Sequence, residues 1–498
     1  GISTEVGLSR IYSQKENLAH VIGYVGPVSD HYLERTKDPD PLLQIPRFQV
    51  GKTGVEAQTE QQLRGTAGHR RIEVNAVGRV MRELERAEGK PGAAVKLTIN
   101  SEIQNFALER MDGLSASAVV IDCESGDLLA VGSSPSFDPN LFVHGISSDA
   151  YNGLRNNVFG PLRAKAVQGT YAPASTFKMV TALAALENGV IRSDETVFCP
   201  GHLDIAGTRF HCWKRQGHGE MNLADSIIQS CDVFFYTIGQ KVGIDKISDM
   251  ARRFGLGQHH DLPLSAISRG VAPTPDWKQR SFDKGWLLGD TVNASIGQGY
   301  VLASPLQLAV MAARLATGRT VRPRLIQNID GEVMPLGGGA QLDVDPVHLA
   351  VVQKAMFGVA NTKDGTAFSK RITTQELRMA GKTGTAQVRR ITAEERTTGV
   401  IPNEDLPWEK RDHALFVNYA PHDNPKIAVA VVVEHGGGGS SIAAPIARDI
   451  TLFALTGEIP DLKHYPTELR NQIKREQKKL APRLIDWSSV GTSGRAKT

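Results

Sequence analysis

One segment constrains the fold of this chain more than any other, Thr170-Tyr171-Ala172-Pro173-Ala174-Ser175-Thr176-Phe177-Lys178. Pro173 disfavours helix in the residue before it, so the segment begins as a loop. From Phe177 the run Phe-Lys-Met-Val-Thr-Ala-Leu-Ala-Ala-Leu is apolar on nearly every side, which predicts a buried helix. The helix is expected to end at Asn188-Gly189, and the rest of the chain must supply layers that cover it.

The start of this helix carries a serine and a lysine three residues apart, Ser175 and Lys178. That spacing places both side chains on one face. A serine needs a base to become a nucleophile, and a lysine at a buried helix start loses its proton more easily than in water. The pair predicts a nucleophile with its base, although S-x-x-K alone is more often a capping serine beside an unrelated lysine.

Length and composition set broad limits. A chain of 498 residues is too long for one ordinary core, so at least two domains are expected. Apolar residues make up 41% and charged residues 22%, as in soluble globular proteins. The net charge of +4 does not indicate a nucleic-acid groove, and we expect no nucleic-acid partner. Four cysteines are too few for a disulfide scaffold, and no apolar run is long enough to cross a bilayer.

The order of patterns predicts an α+β fold. The turn cluster Gly89-Lys90-Pro91-Gly92 favours a boundary near residue 94, after a smaller mixed domain, residues 1–94. In residues 95–460, a hairpin is predicted from 116–121 and 127–132, and strands from 379–388, 414–419 and 427–433. Helices between the two groups of strands imply one central, mostly antiparallel sheet with helices on both sides.

Two further segments complete the sequence-based description. Residues 222–243 read as one helix with an apolar side. Residues 461–498 form a polar, basic C-terminal tail, for which a solvated and partly disordered end is the expectation.

Two more motifs strengthen the reading of Ser175. Ser230-Cys231-Asp232, on a segment expected to be helical, offers a second hydroxyl for proton relay and an acid to orient a neighbour. Lys382-Thr383-Gly384-Thr385 lies on a predicted strand. Its hydroxyls and its lysine suit a carboxylate, and its glycine is expected to let a ligand approach the backbone closely. These three motifs in this order match the set of penicillin-binding proteins and class A β-lactamases.

With these motifs the chain resembles the class B penicillin-binding proteins over nearly its whole length. Further typical segments are Gln168 to Tyr171, Gly289-Asp290, Asn293 to Gly299, Ser304 to Gln307, and Gly365-Thr366-Ala367. The S-x-D motif, where S-x-N is more common, resembles the penicillin-binding protein 2 branch, which serves cell elongation. The resemblance implies a penicillin-binding/serine β-lactamase-like transpeptidase domain behind a pedestal or dimerisation module.

The resemblance also implies an activity, peptidoglycan D,D-transpeptidation through a serine acyl-enzyme that β-lactams block. Ser175 would attack the carbonyl between two D-alanines of a stem peptide and Lys178 would accept its proton. Ser230 would pass a proton to the leaving D-alanine, Asp232 would hold the network and Lys382 would tune its electrostatics. Thr383, Gly384 and Thr385 would bind the substrate, with the two hydroxyls on its terminal carboxylate. The backbone N–H groups of Ser175 and Thr385 would form the oxyanion hole.

Location and partners are implied in the same way. Members of the family have a single N-terminal membrane helix, so we expect an anchor in the bacterial inner membrane and a catalytic body in the periplasm. The implied partners are stem peptides, β-lactams, a polytopic glycosyltransferase and other proteins of the elongation machinery.

Three other readings compete. A β-lactamase would be roughly half this length, and no deacylating Glu is recognised here. A penicillin-sensing receptor that uses the serine as a trap predicts a signalling segment, and none is visible. A catalytically dead scaffold conflicts with three complete motifs. A second KTG, Lys52-Thr53-Gly54, precedes the serine, and we assign it no chemistry.

A possible metal site lies near the second motif. Cys199, Cys212, His218 and Cys231 offer three thiolates and one imidazole, a normal set for a structural zinc ion. Some relatives in the penicillin-binding protein 2 branch resemble this, with zinc held by Asp, Asp, His and Cys. The alternatives are a Cys199–Cys212 disulfide and three unrelated buried thiols. His202 and His211 are spare candidates.

Overall fold

A five-stranded antiparallel sheet forms the centre of the protein. In spatial order its strands are Ala380–Ala386, His413–Ala420, Ile427–Val433, Ala116–Asp122 and Leu128–Ser134. The computed structural model describes residues 9–35, 40–45, 48–392, 395 and 399–480. The predicted α+β class, the hairpin and the three later strands are confirmed.

The sequence of the middle strand explains why the sheet is covered on both faces. All seven residues of Ile427–Val433 are apolar and buried, and neighbouring side chains on a strand point to opposite faces. The helices Pro305–Thr317 and Ala444–Thr456 pack against this strand. Burying each valine or isoleucine contributes about 1.5–3 kcal/mol, so the strand anchors the core.

The predicted buried helix is also confirmed. A 3-10 turn, Ala174–Phe177, leads into the α-helix Lys178–Glu187, and Asn188 follows as its C-cap. Every residue from Lys178 to Leu186 is buried. The helix packs against the helices Asp232–Val242, Ile244–Arg253 and Pro346–Asn361, which supply the layers that its apolar surface requires.

The segment 222–243 differs from its prediction. It forms two helices, Leu223–Ile228 and Asp232–Val242, separated by Gln229, Ser230 and Cys231. Ser230 has a left-handed backbone, φ +58°, and Cys231 is the N-cap of the second helix. The S-x-D motif therefore lies on a strained break between helices and not within a helix, because an α-helix cannot contain a residue in that conformation.

The C-terminal segment also differs from its prediction. Residues 461–480 form the short turns Leu462–His464 and Thr467–Leu469 and the helix Arg470–Leu480. Tyr465, Ile473 and Leu480 are buried, and the Arg448 guanidinium lies 4.6 Å from the centre of the Tyr465 ring. A solvated, disordered end is therefore wrong for this part. Residues 481–498 of the predicted tail lie outside the described residues.

The N-terminal region is built from short elements. Its helices are Ala19–Ile22, Asp30–Arg35, Gly54–Gln58 and Glu60–Arg64, and its strands are Val25–Pro27, Gln49–Gly51, His69–Val74 and Val80–Ala87. Hydrogen bonds join it to the catalytic region: His20 Nε2 lies 2.7 Å from the Pro161 carbonyl oxygen, and Gly54 N–H donates to Ser265 Oγ at 2.9 Å. The second KTG therefore starts a helix that meets the catalytic region.

The remaining elements surround the sheet. The helices are Ser101–Arg110, Asn140–Val143, Ser148–Arg155, Lys165–Gln168, Pro275–Phe282 and Leu288–Ser295, and the short strands are Val95–Leu97, Val197–Cys199, His202–Ile205, Thr208–His211, Gly219–Met221, Ile326–Ile329 and Glu332–Val333. Within the described ranges, no helix combines the length and the apolar character needed to cross a membrane.

Candidate active site

The Ser175 turn is held by backbone hydrogen bonds to the segment 297–303. Tyr171 and Ala303 exchange two backbone hydrogen bonds of 2.9 Å, and Ala174 N–H donates to the Gly297 carbonyl at 2.8 Å. Ala174 has a left-handed backbone, φ +49°, a strained conformation for a residue with a Cβ. The strain is tolerated because the surrounding hydrogen bonds fix the loop, and Ser175 stays partly exposed at its tip.

Gly297 explains how the segment 293–299 can lie directly against the Ser175 turn. A Cβ on this residue would lie 2.4 Å from the Ala174 carbonyl oxygen and 2.6 Å from Phe177 Cβ, and its φ is +70°. Only glycine satisfies both conditions. The glycine therefore allows the segment 293–299 to support the Ser175 turn from below.

Lys178, Ser230, Asp232 and Lys382 form a buried cluster, which we call the amine cluster. Lys178 Nζ lies 2.7 Å from Asp232 Oδ1, 2.9 Å from the Ser230 carbonyl oxygen and 3.2 Å from Ser230 Oγ. Lys382 Nζ lies 2.9 Å from the same Ser230 Oγ. Both lysines are 0% exposed, so the protein itself must satisfy their amines.

The electrostatics differ between the two lysines. Burial, followed by the nearby charge of Lys178, lowers the pKa of Lys382 well below its usual value. Lys178 instead faces the carboxylate of Asp232. Burial raises the pKa of Asp232, while the Lys178 ammonium opposes that shift. The surroundings therefore disfavour the charged form of Lys382, while Lys178 lies beside an acidic partner.

Ser175 itself is one step away from this cluster. Ser175 and Lys178 are three residues apart across a 3-10 turn and a helix start, so their side chains share a face. Within the described residues, the Ser175 hydroxyl makes no hydrogen bond. Such contacts often tighten only when substrate binds.

The predicted carboxylate-binding residues lie on the outer strand of the sheet, Ala380–Ala386. The hydroxyl groups of Thr383 and Thr366 lie 2.8 Å apart, and Thr385 is exposed. Ser175, Ser230, Thr383 and Thr385 all line one cleft with a volume of about 1050 Å³. The structure thus gathers the three sequence motifs around a single concave site.

Gly384 also has a role within the protein itself. A Cβ on it would lie 3.0 Å from Thr176 Cγ2 and 3.1 Å from the Pro173 carbonyl oxygen. The close approach is therefore made by the protein's own Ser175 turn. Gly384 also lines the cleft, and the glycine lets the Lys382 strand pack directly against the turn that carries the nucleophile.

The four predicted metal ligands also come together, in what we call the thiol cluster. Cys199 Sγ lies 3.6 Å and Cys212 Sγ 3.5 Å from His218 Nδ1, and one atom from each of the four residues lies within 4.8 Å of the others. All four cysteines of the chain are free, so the Cys199–Cys212 disulfide is not formed. His202 and His211 do not belong to the cluster.

The geometry of the thiol cluster fits zinc. Bonds of about 2.3 Å to sulfur and 2.0 Å to nitrogen in a tetrahedron give a sulfur–nitrogen separation of about 3.5 Å. The two measured separations match that value. The contact with Cys231 lowers the pKa of the Cys212 thiol, and the same contact, together with burial, raises the pKa of Cys231. Three sulfurs and one imidazole nitrogen at these separations make a donor set that fits a tetrahedral metal ion.

The two clusters share the backbone of residues 230–232. Asp232 N–H donates to Cys212 Sγ at 3.3 Å, and Trp213 N–H donates to Asp232 Oδ2 at 2.9 Å. Trp213 Nε1–H donates to the Ser230 carbonyl at 3.0 Å. The thiol cluster and the neighbouring Trp213 therefore help to position Ser230 and Asp232, the two residues that contact Lys178.

Sequence reasoning missed several residues of the site. Thr366 was quoted as part of a typical segment without a role, and Trp213 was not singled out although it follows Cys212. Arg215, Lys370 and Arg390 also line the cleft. No local spacing marks these cations, because they come from three loops that meet only in the folded chain.

Comparisons with known proteins agree with this geometry. Residues 116–452 match the family described as penicillin binding protein transpeptidase domain, and residues 1–97 match the penicillin-binding protein dimerisation domain. Peptidoglycan D,D-transpeptidase MrdA of Haemophilus influenzae is 36% identical over 484 residues, which are 95% of this chain and 73% of that protein. The Escherichia coli protein of the same name is 37% identical over 467 residues, 92% of this chain and 73% of that protein.

Solved structures give the same result. Pseudomonas aeruginosa PBP2 in complex with WCK 5153 superposes with a TM-score of 0.77 at 35% identity, covering 92% of each chain. Helicobacter pylori PBP2, in its complex with MreC, has a TM-score of 0.79 at 30% identity and covers 90% of this chain and 80% of that one. The chain belongs to the family of penicillin-binding protein transpeptidases. Within that family it is a peptidoglycan D,D-transpeptidase of the penicillin-binding protein 2 branch.

Proposed function

We propose that this chain cross-links peptidoglycan stem peptides through an acyl-enzyme on Ser175 during cell elongation. The observation that carries the proposal is the amine cluster behind Ser175, in which Ser230 Oγ lies between the amines of Lys178 and Lys382. A hydroxyl between two amines can pass a proton from one to the other. This supplies the base that a serine nucleophile requires.

The proton path follows from the charges. In the resting state Lys178 holds the ammonium beside Asp232, and Lys382 is neutral. A substrate carboxylate that binds Thr383 and Thr385 lies near Lys382 and stabilises an ammonium there. One proton then moves from Lys178 to Ser230 Oγ while the Ser230 proton moves to Lys382. Lys178 becomes neutral on the face that it shares with Ser175.

The acyl transfer uses this neutral amine. Ser175 Oγ attacks the carbonyl between the two D-alanines and gives its proton to Lys178. The backbone N–H groups of Ser175 and Thr385 stabilise the oxyanion. The amine of the leaving D-alanine takes a proton through Ser230, and an acceptor amine from a second stem peptide then displaces Ser175 from the acyl group. The acceptor's proton returns to the same cluster, so the enzyme is regenerated.

We further propose that the thiol cluster binds structural zinc through Cys199, Cys212, His218 and Cys231. Support comes from the donor set and from the two sulfur–nitrogen separations, which join the Cys199 and Cys212 sulfurs to His218 Nδ1. The ion would supply rigidity, and acyl transfer itself needs no cofactor.

Location and partners are also part of the proposal. The catalytic body works in the periplasm, held to the inner membrane by a single N-terminal helix, because its substrate lies outside the cytoplasm. A polytopic glycosyltransferase and other elongation proteins are its expected partners. Two structural neighbours support this: H. pylori PBP2 was solved with MreC, and another neighbour comes from a peptidoglycan synthase complex.

A direct test combines a pentapeptide ending in D-Ala-D-Ala with an amine-bearing acceptor peptide. We expect release of D-alanine and a product whose mass equals donor plus acceptor minus D-alanine. A β-lactamase-like hydrolase would return the donor shortened by D-alanine without joining the acceptor. A penicillin-sensing receptor would release no D-alanine. Either result would contradict the proposal.

A further inference from the structure

Four aromatic rings adjoin one another on the segment 277–300, at the surface of the protein. The centre of the Tyr300 ring lies 5.6 Å from that of Trp277, 5.4 Å from that of Phe282 and 6.2 Å from that of Trp286. Phe282 is 49% exposed, and the other three residues are half-buried. We call these four residues the aromatic platform. Single exposed apolar side chains are ordinary, whereas an exposed group of them marks an interaction site.

A buried ion pair holds the platform in place. Lys278 is 3% exposed, and its Nζ donates to Asp290 Oδ2 at 2.6 Å. The same amine lies 5.3 Å from the centre of the Tyr300 ring and 5.8 Å from that of the Trp286 ring. Lys278 and Asp290 belong to two successive helices, so the pair joins the elements that carry the rings. Rings that are fixed before a ligand arrives lower the entropy cost of binding it.

The platform continues from the catalytic cleft. The helix Leu288–Ser295 begins two residues after Trp286, and its residue Asn293 lines the cleft together with Ser175. Asn293 is the sixth residue of that helix and therefore lies about 7.5 Å along its axis from the first. A Cβ on Gly289 would lie 3.5 Å from Phe210, which also lines the cleft. A substrate held in the cleft can therefore reach the platform.

We propose that the aromatic platform binds the glycan strand that carries the stem peptide, through stacking of its rings on the amino sugars. The inference rests on the proposed function and adds a second contact with the same substrate. Four residues separate the sugar from the reacting carbonyl of a stem pentapeptide, and fully extended they span about 14 Å. The glycan of a bound substrate must therefore lie close to the edge of the cleft.

The chemistry of the platform suits an uncharged sugar. A pyranose ring presents C–H groups on its faces, and these are attracted to the negative face of an aromatic ring. The exposed charged residues among the rings balance, with two acids and two bases: Asp276, Asp283, Arg280 and Lys284. A surface that binds anionic lipid would instead carry an excess of lysine and arginine. These observations favour a glycan over a membrane.

The test compares two donors that carry the same pentapeptide, one free and one attached to a tetrasaccharide of amino sugars. The ratio of their kcat/KM values for D-alanine release measures the contribution of the glycan. We expect wild type to prefer the attached donor through a lower KM. In Phe282→Ala this ratio should fall roughly two- to tenfold, the range for one aromatic contact. Phe282→Tyr retains a ring and should keep the wild-type ratio.

Two controls separate the platform from the cleft. Tyr151 is another exposed aromatic residue, 40% exposed, but it lies on the helix Ser148–Arg155 outside the platform. Tyr151→Ala should therefore keep the wild-type ratio. Benzylpenicillin carries no glycan, so its rate of acylation should be the same in wild type and in Phe282→Ala, which shows that the cleft is intact.

The failure of this inference differs from the failure of the proposed function. An equal ratio in wild type and Phe282→Ala would overturn the glycan site, and so would an equal fall of kcat/KM for both donors, because the rings would then only support the cleft. An unchanged ratio, with binding to anionic lipid vesicles lost in Phe282→Ala, would assign the platform to a membrane. Absence of D-alanine release from both donors in wild type would instead contradict the proposed function.

Discussion

The amine cluster and the thiol cluster lie on either side of residues 230–232, and they satisfy their polar groups in different ways. In the amine cluster, two lysines, a serine and an aspartate contact one another at 2.7–3.2 Å. In the thiol cluster, three cysteine sulfurs and the His218 imidazole gather with one atom of each within 4.8 Å of the others. The first cluster is satisfied by contacts among protein atoms, whereas the second is arranged as a set of metal ligands.

This difference suggests that the amine cluster serves catalysis and the thiol cluster stabilises the structure around it. A complete network of titratable groups can move protons without rearranging, which suits catalysis. A closed set of soft ligands holds a metal firmly and leaves no position for substrate. Because both clusters contact Ser230 and Asp232, we expect amine-cluster variants to lose chemistry while remaining folded. Thiol-cluster variants should lose structural stability, and their acylation rate should fall as a consequence.

The largest effect is expected for Lys178→Ala. Removing the base should slow acylation by benzylpenicillin by about 100- to 10,000-fold. The Ser230 carbonyl loses one donor in this variant. The fold should nevertheless remain, because the surrounding helices keep their apolar contacts. Stopped-flow acylation rates with circular dichroism as a folding control check this. A folded variant that is acylated at the wild-type rate would remove Lys178 as the base.

The next prediction concerns pH. Because the pKa of Lys382 is lowered, the folded protein holds a neutral amine at pH values where a free lysine is charged. Acylation should therefore rise as pH increases through this lowered pKa and then level off below pH 10.5. Unfolding free energy should rise between that lowered pKa and 10.5, since over this range the unfolded chain binds a proton that the folded chain has lost.

Lys382→Met sharpens the pH prediction, since methionine has a similar length and no titratable group. The variant should be acylated more slowly, and its acylation rate should no longer rise with pH in the range where the wild-type rate rises. The measurement is the acylation rate from pH 5 to 10 for both proteins. An unchanged acidic limb in the variant would assign that titration to another group.

A smaller effect is expected for His218→Ala. The variant should lose bound zinc and melt at a lower temperature, with acylation reduced only through the disturbed 230–232 segment. Cys123→Ser is the control, because Cys123 is as buried as the three cysteines of the thiol cluster but lies outside that cluster. Elemental analysis of protein purified without chelator should find about one zinc per chain in wild type and in the control. Wild type without zinc, but folded and active, would contradict the proposed metal site.

The smallest effect is expected for Tyr171→Phe. The Tyr171 hydroxyl donates to Glu434 Oε1 at 2.8 Å, in a region that touches neither cluster. Losing this hydrogen bond should cost about 1 kcal/mol of unfolding free energy and leave the rate of acylation within a few fold. Urea denaturation measures the first quantity. A loss as large as that of Lys178→Ala would show that the Ser175 turn depends on Glu434 for chemistry.

The comparison also shows which features a sequence can predict. Ser175 and Lys178 are three residues apart on one helix start, and Ile427–Val433 is a continuous apolar run, so both were predicted from local pattern. The helix Arg470–Leu480 had a local signal too, because the buried residues Ile473 and Leu480 are seven apart, but the polar composition outweighed it. Local spacing is informative where one element determines the outcome.

Other features depend on contacts between distant segments. The left-handed Ser230 breaks a predicted helix, because its carbonyl and hydroxyl must both reach Lys178. Gly384 lets its strand pack closely against the Ser175 turn, which lies more than 200 residues earlier in the sequence. Arg215, Lys370 and Arg390 likewise line one cleft only when three separate parts of the chain meet. No window of sequence contains these pairs, so their roles became visible only in the structure.

The central claim is that Ser175 is the nucleophile of the amine cluster. The most direct measurement is intact mass after exposure to benzylpenicillin, followed by peptide mapping, for wild type and Ser175→Ala. We predict one penicilloyl group per wild-type chain, located on the peptide that contains Ser175, and none on the variant. A Ser175→Ala protein that still gains the adduct, or a wild-type adduct on another residue, would contradict the account.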